Sequence, residues 1–116
     1  MTNPPVSTAQ LQSQHTSIKR FCADSSIVTN EALRYLQRLC KHFRHKVPVT
    51  LTEQTGLIEF AMGTCELTAD DHVLNMHCET VDYFALSEIM QTMQSHFERF
   101  SKPETAAITW NMTVLK

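Results

Sequence analysis

The stretch from Val47 to Glu79 most constrains the fold. It holds four short runs in which apolar and polar side chains alternate, joined by links of only a few residues. In the first run Val49 and Leu51 share one face, and Thr50 and Thr52 the other. Ile58 and Phe60 point one way in Leu57 to Phe60, as do Cys65 and Leu67, with Glu66 opposed, in Thr64 to Thr68. Leu74, Met76 and Cys78 alternate with Asn75 and His77 in Val73 to Glu79. A period of two marks a strand with one face buried. Glu53-Gln54-Thr55-Gly56, Ala61-Met62-Gly63 and Ala69-Asp70-Asp71-His72 read as turns. None of these links can hold the crossover that parallel pairing requires, so the four strands form an antiparallel meander.

Two helical patterns flank the meander. Thr29 or Asn30 can cap the first, and Glu31 suits the positive end of the dipole in the first turn. Ala32, Leu36, Leu39, Cys40 and Phe43 recur at helical spacing, with Leu33 widening the stripe. Arg34, Arg38, Lys41 and His45 repeat that spacing on the opposite face, and Lys41, Arg44 and Lys46 complement the C-terminal end. Pro48 forces the stop, because it disfavours helix at Val47. Thr80 or Asp82 can cap the second helix, whose stripe is Leu86, Ile89, Met90, Met93, Phe97 and Phe100. His96 sits at the edge of that stripe.

A first strand is expected over Ser17 to Ala23, where Lys19 and Arg20 suggest a sheet edge. Asp24-Ser25-Ser26 reads as a turn. A last strand is expected over roughly Ala106 to Val114, with Ile108, Trp110 and Met112 on one face. The order is β-α-ββββ-α-β. It predicts an α+β, two-layer fold: an antiparallel sheet of about five to six strands with two amphipathic helices on one face. Residues 1–15, rich in Pro, Ser, Thr and Gln, read as a flexible tail, and 16–116 as a single domain.

Composition excludes several function classes. With 42% apolar and 19% charged residues the chain is globular. A net charge of -2 argues against a general nucleic-acid binder. No run approaches the roughly 18 apolar residues that span a bilayer, and Met1-Thr2-Asn3-Pro4-Pro5 lacks a signal core, so a cytoplasmic protein with no membrane partner is expected. Cys22, Cys40, Cys65 and Cys78 form no CxxC pair and are read as reduced, buried thiols.

Candidate chemistry is sparse. There is no GxSxG elbow, and two glycines in the whole chain leave no phosphate loop. No catalytic residue and no cofactor are predicted. His42 and His96 lie at the edges of the two helical stripes, so they would approach if the helices are neighbours. With Cys40, and His45 one turn on from His42, they make a mixed nitrogen–sulfur set suited to a metal or thiol enzyme. Plain packing of these side chains is the simpler expectation. Were Cys65 and Cys78 cross-strand neighbours, a redox disulfide would merit testing. The basic face of Arg34, Arg38, Lys41 and His45, with Arg44 and Lys46 beside it, is the most function-like surface. It suits an anionic small ligand or an acidic partner. An outward sheet face serving as a protein–protein interface is a third reading.

The residues also carry a family pattern. Arg34-Tyr35-Leu36-x-x-Leu39-Cys40-Lys41-His42-Phe43-x-His45-Lys46, then Gly56-x-Ile58-x-Phe60-x-x-Gly63-x-Cys65-x-Leu67, then His96-x-Glu98-Arg99-Phe100 and Trp110, resembles the bacterial domain-of-unknown-function family 2218. The resemblance covers about Ser17 to Asn111. It implies a small α+β protein of unassigned activity. Some members are encoded with, or fused to, siderophore-interacting ferric reductase domains. The resemblance therefore implies an accessory or binding role in iron–siderophore metabolism, with a ferric–siderophore reductase as partner.

Overall fold

The computed structural model describes residues 19–102 and 108–115. The expected tail, residues 1–15, lies outside them, as do Ser17, Ile18 and the start of the last expected strand. Six strands and two helices follow in the order β1 (Arg20–Val28), α1 (Ala32–Phe43), β2 (Val49–Leu51), β3 (Thr55–Phe60), β4 (Gly63–Ala69), β5 (Val73–Thr80), α2 (Tyr83–Phe100) and β6 (Asn111–Leu115). The sheet runs β2-β3-β4-β5-β1-β6, antiparallel throughout. The fold is therefore α+β, and the meander from β2 to β5 is continuous.

Register sorts the side chains into two faces. Ala23 pairs with Cys78, Cys78 with Cys65, and Cys65 with Ile58. Below them Ser25, Met76, Leu67 and Gly56 make a second row. These residues are buried, and both helices cover them: α1 lies over β2 to β5, and α2 over β4, β5 and β1. The opposite face carries Asp24, His77, Glu66 and Leu57 in one row, and Cys22, Glu79, Thr64 and Glu59 in the next. Most of that face is half-buried or exposed.

The helices form where the stripes place them. Ala32, Leu36, Leu39, Cys40 and Phe43 are buried, and Tyr35, a residue outside the expected stripe, joins them. Leu33 does not widen it, since it is 39% exposed. Thr29 Oγ1 accepts from the Glu31 amide at 3.0 Å. Glu31 itself occupies the N-cap, and its carboxylate reaches Lys102 at 2.6 Å and Arg34 at 3.5 Å. In α2 the Asp82 side chain accepts from the Phe84 amide at 3.0 Å, a standard N-cap. Leu86, Ile89, Met93 and Phe97 are buried beneath it.

Two expectations about the first strand fail. β1 runs through Asp24-Ser25-Ser26 instead of turning there, and it lies between β5 and β6 instead of at an edge. Turn propensity is a local preference, and cross-strand partners overrule it. Asp24 meets His77 at 2.6 Å, and Ser26 hydrogen-bonds Asn75. Ser25 faces the core opposite Met76. Lys19 and Arg20 sit at the strand's start, where charge is tolerated whatever the strand's place in the sheet. The edges are β2 and β6, and the inward reading of Met112 on β6 gives way to 47% exposure there.

Candidate functional site

The two helices meet along a seam between one edge of α1 and the C-terminal half of α2. Tyr35 packs edge-on to Phe97, with ring centroids 5.1 Å apart, and its hydroxyl accepts from the Lys102 amide at 3.0 Å. One turn later the Arg38 guanidinium lies 4.7 Å above the Phe100 ring, a cation–π contact. A further turn on, the His42 and His96 rings pack at a tilt of 47° with centroids 4.6 Å apart. Phe43 touches both rings and also Phe60. Tyr35, Arg38 and His42 fall at i, i+3 and i+7, so one edge of α1 supplies the whole seam.

The His pair is unusual in its hydrogen bonding. His96 Nδ1 lies 2.8 Å from the Thr92 carbonyl, one turn earlier, and so carries the donated proton. His42 Nε2 is buried and has no hydrogen-bond partner among the described residues. An unpaired buried polar atom costs about 1–3 kcal/mol, so this nitrogen asks for an account. Burial lowers the His42 pKa below its usual value, and the positive fields of His96, Lys46, Arg99 and His45 add to that shift. His96 also lines an open cleft of about 430 Å³ along α2 with Met62, Glu88, Gln91, Thr92 and Ser95. Trp110 is tied to the same helix, its indole N–H donating to Gln94 Oε1 at 3.1 Å.

The other candidates separate. Cys40 points into the core against Gly56, and burial pushes its thiol up to about 11 despite Arg44. It therefore does not join His42 and His96 in one ligand set. His45, Lys41, Arg44 and Lys46 are exposed, as are Arg34 and Arg38, which are engaged by Glu31 and Phe100. Cys65 and Cys78 are direct cross-strand partners, fully buried. Their mutual hydrogen bond, together with burial, raises the Cys65 pKa well above the thiol range, which disfavours thiolate chemistry. All four cysteines are free and buried.

One cluster lies outside every motif read from the sequence. On the open sheet face Cys22, His77 and Glu79 bring a sulfur, a nitrogen and an oxygen within 4.8 Å of one another. Among the described residues it is the sole convergence of three metal-type ligands. The local signal is present as two i, i+2 pairs, Cys22/Asp24 and His77/Glu79, each on one face of a strand. What joins them is the register of β1 on β5, which pairs Cys22 with Glu79 and Asp24 with His77.

Comparison with known proteins places the chain in context. A family model described as "Uncharacterized protein conserved in bacteria (DUF2218)" matches residues 24–111. The NMR structure of PA4090 from Pseudomonas aeruginosa is similar, with 34% identity and a TM-score of 0.68 over 78% of this chain and 95% of that one. No curated protein matches. Among the described residues no helix is long and apolar enough to cross a membrane.

Proposed function

We propose, for a chain that belongs to the DUF2218 family of uncharacterised bacterial proteins, a cytoplasmic binding or accessory role in iron–siderophore metabolism, exercised on the helix side of the sheet. The ligand is a small anion of the aryl or catecholate siderophore kind. It sits where the α1 C-terminus meets α2, and a ferric–siderophore reductase is the partner that acts on it.

The observation that carries this reading is His42 Nε2, a buried atom without a partner among the described residues, beside the His96 ring and within the positive field of Lys46, Arg99 and His45. A bound phenolate or carboxylate would supply the missing hydrogen bond and draw on the surrounding positive charge. The flat His42 and His96 rings offer an aromatic ligand a stacking surface. The exposed basic residues Lys41 and Arg44 extend the same positive field along α1. The siderophore class itself comes from the reductase association that the family resemblance implies. It supplies the first ligands to try.

The test is a titration with ferric catecholate and its iron-free form, read by Trp110 fluorescence and by calorimetry. Trp110 reports because it is anchored to Gln94 on α2, two residues before His96. A saturable response that weakens about tenfold or more in His42→Ala and in Arg99→Gln is expected, one charge-assisted hydrogen bond contributing about 1.5–3 kcal/mol. No saturable response, with an unchanged melting temperature, would remove the reading.

A further inference from the structure

The helix-side reading leaves the open face of the sheet unused, and that face holds a built constellation. We propose that Cys22, His77 and Glu79 form a site for a borderline divalent transition-metal ion of the zinc class, with Asp24 orienting the imidazole and one coordination position open.

Ligand chemistry comes first. A thiolate, an imidazole and a carboxylate together select zinc and its neighbours over magnesium or calcium, which want oxygen alone. Three protein ligands with a vacant fourth position is the arrangement of reactive zinc sites, as opposed to closed structural ones.

The distances agree. Bonds of about 2.0–2.3 Å in a tetrahedron put ligand atoms roughly 3.3–3.8 Å apart. His77 Nε2 and Glu79 Oε1 are already 3.3 Å apart, and the Cys22 sulfur lies within 4.8 Å of both residues' ligand atoms. A small rotation of one side chain closes the set.

The supporting shell is in place too. His77 Nδ1 lies 2.6 Å from Asp24 Oδ1, which fixes the ring and turns Nε2 toward the site. A carboxylate behind a ligating histidine is the usual partner of a zinc-bound imidazole. Arg20 holds Glu79 Oε2 at 3.0 Å and leaves Oε1 for the ion. Glu66 on β4 is the cross-strand neighbour of His77, and Thr64 that of Glu79. Cys22 is only 2% exposed, although it belongs to the face away from the helices. All four key residues stand on two paired strands, so the backbone ladder itself sets their spacing.

Proton balance is simple. In the metal-free chain both ring nitrogens of His77 face carboxylate oxygens, and the Cys22 thiol is protonated. Binding exchanges the Cys22 S–H proton for the ion, and an Nε2 proton as well when the imidazole is charged; each leaves to solvent, while the Nδ1–H stays hydrogen-bonded to Asp24.

The experiment is a Co²⁺ titration of the tag-free full chain after chelator treatment, followed by Zn²⁺ competition. The expected result is a thiolate-to-cobalt charge-transfer band and tetrahedral visible bands, saturating near one equivalent. Cys22→Ala abolishes the charge-transfer band. Asp24→Asn keeps the ligands but weakens binding about 10- to 100-fold. Cys40→Ala and His42→Ala, on the other side of the sheet, leave the spectrum as it was. Circular dichroism verifies the fold of each variant, and the isosteric Asp24→Asn preserves a test should Cys22→Ala unfold. The absence of any charge-transfer band in the folded parent, or a band that survives Cys22→Ala, would overturn the proposal, as would an Asp24→Asn affinity equal to that of the parent.

Discussion

Replacing Gly56 by alanine tests how α1 seats on the sheet. Gly56 is buried in β3, and its φ lies in the ordinary negative range, so the backbone accepts a side chain. The obstacle is local. A methyl group built there meets the Cys40 sulfur well inside van der Waals contact, while Cys40 Cβ and Leu36 Cδ2 stand at a comfortable 3.9 Å. One atom blocks the substitution. Overpacking of this kind costs about 1–3 kcal/mol, and the lower entropy of an unfolded alanine returns about 0.4–1 kcal/mol. We expect a net loss of about 1.5 kcal/mol, or roughly 5–8 °C in melting temperature for a domain of this size.

Cys40→Ala removes the blocking sulfur. Alone it leaves a void about the size of a methyl group and costs about 1 kcal/mol. In the double variant the methyl introduced by Gly56→Ala occupies that void, so stability returns to near the parent value. The coupling energy is then about 2.5 kcal/mol, within the range for residues in direct contact. Urea unfolding followed by far-UV circular dichroism, at constant m, measures all three variants. Additive losses, with a coupling under about 0.5 kcal/mol, would refute the placement of Cys40 against Gly56. They would also reopen the question of whether Cys40 belongs with His42 and His96.

Two further expectations bear on the core and on the His pair. Ser25 Oγ is buried opposite Met76 without a hydrogen-bond partner among the described residues, so Ser25→Ala should raise stability by about 1 kcal/mol in the same urea assay, the hydroxyl's desolvation being no longer uncompensated. His42 is held below its usual pKa of 6.5 by burial and by neighbouring positive charge. Well above that usual value the folded and unfolded chains are both neutral there. As pH falls through it and then through the folded-state value, the unfolded chain takes the proton first, and stability is lost. The stability difference between parent and His42→Phe should therefore shift against the parent on acidification and be constant above neutrality. A pH-independent difference would show that His42 titrates normally.

Much of the fold was legible because it rests on local periodicity. The meander and the stripes of both helices needed only spacing, and Pro48 needed only its ring. The first strand was legible only as far as Ala23, since Asp24, Ser25 and Ser26 look like a turn until His77, Met76 and Asn75 are set beside them. Those partners lie about fifty residues away in sequence, and no local rule reaches that far. The same distance separates the two kinds of site. His42 and His96 could be paired in advance because each marks the rim of a helical stripe, so packing the two stripes brings them together. Cys22 and Glu79 carry no such mark, and only the register of β1 on β5 unites them.

That register also bears on the relation between the two proposed sites. Strand alternation sends Cys78 to the helix side while its neighbours His77 and Glu79 go to the open side. A one-residue slip of β1 on β5 would take Cys22 and Asp24 off the open face and carry Ala23 and Ser25 out of the core. The core therefore holds the open-face cluster in place, since Ala23 and Ile27 are buried only in the observed register. The cluster needs no loop to position it. By contrast, the helix-side seam depends on how α1 and α2 sit over the sheet, since long side chains such as Tyr35, Phe97, His42 and His96 join the two helices. A substitution that loosens helix packing, such as Gly56→Ala, should then disturb anion binding at His42 while leaving cobalt binding at Cys22 and His77 intact. One perturbation thus separates the sites, because one is built into the hydrogen-bonded ladder and the other into side-chain packing above it.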